Sequence, residues 1–149
     1  MIVPLQLISA MCDKGTTNFN YHGNMMAVTK KGLVAADLTT TGFQLIADMV
    51  ANFSLVPVGF LFVVNSAAIT GLTTLRLSTS DATPVDIATL AVADLTSGSK
   101  HDPVTANVTL GAGFLAAGNP GKGLVLRRVG SAAAGAFTLN VTVFFTLKG

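Results

Sequence analysis

Glutamate and tryptophan are missing from this chain, glutamine occurs only at Gln6 and Gln44, and charged residues make up 11% of its 149 residues. Folded domains usually carry about 25% charged residues. Without Glu, and with Lys and Gln scarce, the sequence lacks the residues that build exposed helix faces. Thr, Val, Ala, Gly and Asn take their place, and Thr and Val favour strands. A single cysteine, Cys12, excludes an intrachain disulfide framework. The formal net charge is +2 with the basic residues scattered, which gives no nucleic-acid footprint. The longest apolar run, residues 55–64, is about half the length a membrane span needs and contains Pro57 and Gly59. The first residues, MIVPLQLISAMCDK, show no basic n-region and have Pro4 inside a short apolar run, so a signal peptide is not expected. These absences point to a protein without a membrane partner, made in a reducing cytoplasm.

What is present is half apolar by composition and long enough for one domain with its own core. Residues 1–34 carry four of the five methionines, the only tyrosine and no sustained period of 2 or 3.6. They read as an irregular N-terminal arm with a short strand near 3–9. Residues 35–149 read as a β domain. VGFLFVVN (58–65) is a short continuous apolar run suited to a strand covered on both faces. TTLRLSTS (73–80) alternates, with Leu75, Leu77 and Thr79 on one side. AFTLNVTVFFTL (136–147) alternates most clearly, placing Phe137, Leu139, Val141, Val143, Phe145 and Leu147 together. VTANVTL (104–110) reads as a strand with Val104, Ala106, Val108 and Leu110 inward, GLVLRRVG (123–130) as another, and SAAAG (131–135) as a turn. FQLIADMV (43–50) and PVDIATLAVADL (84–95) suit either a strand or a helical segment. The Gly-rich stretch 111–123 reads as a long loop. Seven or eight short strands separated by turn signals predict an all-β sandwich or barrel, with a jelly roll the leading topology.

Candidate chemistry is thin. His22 and His101 stand far apart in polar segments, seven Asp residues are scattered, and no clustered ligand set of the kind zinc requires is visible. Cys12 with His22 has no recognisable nucleophile–base spacing. AAGNPGKG (116–123) superficially resembles the end of a phosphate-binding loop. It has Ala116 where the first glycine belongs and Gly123 where the Mg²⁺-binding hydroxyl belongs. No catalytic, metal or cofactor site is expected. Three Asn-x-Ser/Thr triplets, at Asn52, Asn107 and Asn140, are ordinary in a chain rich in Asn and Thr.

Two segments carry a resemblance. TTLRLSTSDATPVDIATLA (73–91) resembles the central strand, loop and following strand of jelly-roll cement, or decoration, proteins of tailed bacteriophages. GKGLVLRRVGSAAAGAFTLNVTVFFTLKG (121–149) resembles their end: an Arg-bearing strand, a small-residue turn and a last strand alternating hydrophobic residues with Thr. The likeness is one of strand pattern and covers about the last two-thirds of the chain. It implies a structural virion protein that dimerises or trimerises on the capsid exterior. Its partner would be a major capsid protein whose neighbouring subunits it clamps, with no cofactor. Phe19, Tyr21, Met25 and Met26 are then the expected arm anchors, because aromatic residues and Met concentrate in interface cores. Lys30, Lys31, Arg127 and Arg128 are the expected polar rim. A receptor- or glycan-binding jelly-roll head of a viral fibre and a small jelly-roll shell protein are the alternatives. The first would want exposed aromatic platforms, the second a strongly basic arm, and neither feature is prominent.

Overall fold

The computed structural model describes residues 16–22 and 25–149, with side chains from Met25 onward. Ten strands are found among them: β1 (Thr16–His22), β2 (Met25–Leu33), β3 (Phe43–Ile46), β4 (Ser54–Asn65), β5 (Thr70–Thr79), β6 (Asp86–Ala91), β7 (Lys100–His101), β8 (Val108–Leu110), β9 (Leu124–Ala134) and β10 (Thr138–Lys148). They form two five-stranded sheets in the orders β1-β2-β10-β4-β7 and β3-β9-β5-β6-β8, and every pairing is antiparallel.

The topology is a jelly roll. Along the chain β2, β4, β7 and β10 go to the first sheet, and β3, β5, β6 and β9 to the second. Without the two outermost additions, β1 and β8, each sheet keeps four strands. The order β2-β10-β4-β7 then faces β3-β9-β5-β6, the eight-stranded double Greek key. The expected number of strands, seven or eight, agrees with the roll's eight, but β2 and β7 were not among those expected, and β8, which was, lengthens an edge as β1 does.

The core lies between the sheets and is built by the alternation seen in the sequence. In β10, Leu139, Val141, Val143, Phe145 and Leu147 are buried, and Phe137 just before the strand joins them. They meet Leu75 and Leu77 of β5, Ile87 and Leu90 of β6, and Leu124 and Leu126 of β9 in one cluster. Phe60 and Phe62 of β4 pack edge to face, with ring centroids 5.6 Å apart. That geometry suits the ring quadrupoles.

Three expectations are corrected and a fourth, left open in the sequence, is decided. First, residues 25–33 are not part of an irregular arm. They form β2, hydrogen-bonded to β10, with Met26, Val28 and Leu33 in the core. The alternation was masked because the next inward residue is Lys30, only 2% exposed. Residues 1–15, including the expected strand at 3–9, lie outside the described residues. Second, the 104–110 strand shrinks to Val108–Leu110, and Val104 is 89% exposed. Asp102 captures the preceding backbone: its carboxylate accepts from the Val104 N–H at 3.0 Å and the Thr105 hydroxyl at 2.8 Å, the turn chemistry of Asp. Third, SAAAG is not a turn. β9 runs on to Ala134 and reverses at Gly135, whose φ is +117°. Fourth, the ambiguous 84–95 segment is strand β6 followed by a single 3-10 turn at Val92–Asp94. The FQLI part of 43–50 is likewise a strand.

Candidate functional site: the outer faces of the two sheets

A jelly roll presents two outer faces, and here they differ in chemistry. In the first sheet the register places Thr142 between Thr29 and Leu61, and Phe144 between Ala27 and Gly59. Asn140 lies beside Val63, and Thr146 beside Val56. These residues alternate with the buried set and are only partly covered. Thr29 and Thr142 share a hydroxyl–hydroxyl hydrogen bond of 2.9 Å across the strands. The Phe144 ring packs over Gly59, at ordinary contact distance, 3.4 Å, from where a Cβ would stand. No strand of this sheet contains an Asp. Its outward charges are lysines at the margins: Lys31 at the end of β2, Lys100 on edge strand β7 and Lys148 at the end of β10, all exposed. An uncharged centre of aliphatic, aromatic and hydroxyl groups within a cationic margin matches the anatomy of a protein-binding face.

The second sheet carries its charges in the middle. Arg76 of β5 and Arg127 of β9 are direct cross-strand partners. Asp86 of β6 receives both: Arg76 Nη1 donates to Oδ2 and Arg127 Nη2 to Oδ1, each at 2.8 Å. Ser78, fully buried, donates to Asp86 Oδ1 at 2.7 Å and accepts from Arg127 Nε at 3.0 Å. Burial pushes the Asp86 carboxyl up. The Ser78 and Arg127 hydrogen bonds and the charges of Arg76 and Arg127 outweigh it and hold the carboxyl below its ordinary value. The cluster is internally satisfied and serves as a clasp between three strands.

The eight residues expected to form an interface separate accordingly. Phe19 and Tyr21 lie on β1, opposite Val28 and Met26, and their side chains are outside the described residues. Met25 is 41% exposed and points outward, but Met26 is a core residue at 1%. Lys31 is exposed, whereas Lys30 points inward beside Val141. Its long apolar stem allows that burial. Arg127 belongs to the clasp. Arg128 pairs with inward-facing Leu75 and donates from Nε to the Leu38 carbonyl at 2.9 Å and from Nη1 to the Gly130 carbonyl. It ties the β2–β3 connection to β9. A one-residue step reverses a side chain across a strand, so adjacent basic pairs could not stay on one face. The face centred on Thr142 and Phe144 was missed. The signal for it was the set of uncharged outward residues that strands 54–65 and 138–148 share.

Cys12 lies outside the described residues, and among the described residues no group of three or more metal-binding side chains exists. His101 is buried, with Nε2 3.0 Å from the Ser99 hydroxyl. The glycine-rich loop does not offer its amides to an anion. The Gly118 and Gly121 N–H groups donate to the Leu55 and Phe53 carbonyls, and Gly123 N–H to Asp48 and Ser80. No protein-family model, no curated protein and no solved structure matches the chain.

Proposed function

We propose that this chain is a structural protein of a virion, a decoration (cement) protein that docks on the outside of a phage capsid and reinforces contacts between major capsid subunits. The observation that carries this reading is the outer face of β2, β10 and β4, with no carboxylate on its strands, an uncharged centre and lysines at the margin. Removing water from such a centre costs little, because the Thr29 and Thr142 hydroxyls share a hydrogen bond, Asn140 Oδ1 accepts from the Gly32 N–H, and Ala27, Leu61 and Phe144 are apolar. The marginal lysines favour a partner surface bearing carboxylates and speed encounter more than they add affinity. Symmetry supplies the rest: a modest interface repeated across a shell gains through multivalency when copies associate as dimers or trimers.

The test is cosedimentation of the purified protein with undecorated shells of the corresponding virus. The wild type is expected to bind. Phe144→Asp, which puts a charge at the centre of the face, is expected to stay folded and lose binding. Thr89→Asp on the opposite face is expected to bind normally. A wild type that never cosediments, or a Phe144→Asp variant that binds as the wild type does, ends the proposal.

A further inference from the structure

Edge strand β7 covers only part of its neighbour, pairing with Phe62 and Val63 of β4. Toward the start of β4 the loop after β8 takes over the same edge. Leu115 N–H donates to the Pro57 carbonyl at 2.9 Å, and Gly118 N–H to the Leu55 carbonyl at 3.0 Å. The loop therefore extends the first sheet sideways, next to the face proposed for docking. Residues 54–65 and 108–121 contain no charged side chain, so no charge separates the loop from the uncharged centre of that face.

Within residues 111–119 a single residue has a positive φ, and it is Leu115, at +60°. That conformation crowds the Cβ against the following carbonyl oxygen, and for a bulky residue it is an outlier. Gly111, Gly113 and Gly118 of the same stretch could adopt it freely, and none of them does. The left-handed residue separates two apolar neighbours. Phe114 packs against the core, its ring edge to face with Phe60 and the centroids 6.0 Å apart. Leu115 is left 63% exposed. Turning the chain after Phe114 requires a left-handed residue but no leucine, since glycine or asparagine turns it with less strain. A strained backbone that holds a large apolar side chain in solvent points to a role outside the fold. We propose that Leu115 is an apolar anchor of the docking face, seated in an uncharged recess of the capsid subunit when the protein binds its shell. The proposal rests on the docking reading above, and continuity with that face selects the occupant. The presentation is rigid: Phe114 is packed, Leu115 N–H is tied to Pro57, and Gly113 N–H donates to the Asp86 carbonyl at 2.9 Å. Little backbone freedom is then lost on binding.

The test pairs cosedimentation with undecorated shells and thermal unfolding, for the wild type, Leu115→Asn and Leu115→Met. Asparagine tolerates the left-handed conformation, so Leu115→Asn is expected to melt no lower than the wild type. It is expected to bind shells at least about tenfold more weakly, the loss that burying one leucine side chain implies. Leu115→Met keeps an apolar side chain of similar volume and is expected to bind at close to the wild-type level. Three results overturn the proposal: Leu115→Asn binding as the wild type does, Leu115→Met losing as much binding as Leu115→Asn, or Leu115→Asn melting lower, which would give the leucine a role in the fold. A wild type that does not bind ends the docking reading and this proposal with it. Equal binding by the wild type and Leu115→Asn ends this proposal alone.

Discussion

Arg76 and Arg127 stand directly opposite each other on β5 and β9 and are held together by one carboxylate, each donating to its own oxygen of Asp86 at 2.8 Å. Like charges directly across a ladder oppose pairing. Asp86 converts that repulsion into a link between β9, β5 and β6, three adjacent strands of the second sheet.

Asp86→Asn therefore removes the negative group that lies between two half-buried guanidinium groups. The expected loss is about 1–3 kcal/mol, toward the lower end because both arginines retain solvent contact. Urea unfolding should show a lower midpoint with an unchanged slope. An unchanged midpoint would show that the clasp contributes nothing.

The same carboxylate makes stability depend on acid. Its folded pKa lies below the ordinary 3.8, so its contribution is complete above 3.8 and is lost as pH falls through the lower folded value. Asp48 is shifted the same way: burial raises it, and hydrogen bonds from Ser80 and Gly123, with the Lys122 charge, lower it further. Urea midpoints measured against pH should fall steeply below 3.8 in the wild type and less steeply in Asp86→Asn. Parallel curves would contradict the assignment.

Gly123 is where the loop after β8 enters β9. Its N–H is shared by Asp48 and Ser80, and a Cβ there would lie 2.0 Å from the Ile46 carbonyl oxygen. Gly123→Ala must push β3 away from β9. It is expected to cost about 2 kcal/mol or more, read as a lower thermal midpoint. A neutral result would mean that β3 is free to shift.

Met25 and Met26 are neighbours with opposite fates. Met26→Ala removes a core side chain and should cost about 2–5 kcal/mol. Met25→Ala, at an exposed site, should stay within about 0.5 kcal/mol of the wild type. Equal effects in denaturant melts would refute the orientation of β2.

Much of the fold was legible because alternation along one strand is local. Residues 136–147 announced both the strand and its buried side. Leu75 and Leu77 did the same for β5, and all are core residues. Errors arose where one residue broke the pattern or outweighed it. Lys30 hid β2 by pointing inward, and Asp102 pulled Val104 out of a strand that its side chain suits. The site was less legible. Of the eight residues expected at an interface, Met26 and Lys30 point inward, half-buried Arg128 is engaged with the Leu38 and Gly130 carbonyls, Arg127 is taken by Asp86, and Met25 and Lys31 are exposed. A run of adjacent basic residues says nothing about which face each will occupy.

The sequence by itself determined an all-β chain with low charge and strongly patterned strands. Backbone pleating alone enforces those side-chain alternations, so they can be read without knowing what pairs with what. Only the tertiary structure decided that Thr29 meets Thr142, 113 residues away, that a carboxylate lies between Arg76 and Arg127, and that Asp81 is walled in by the 111–119 loop. Those contacts depend on closing long loops into a double Greek key. The register of distant strands is set by how the two layers fill the space between them.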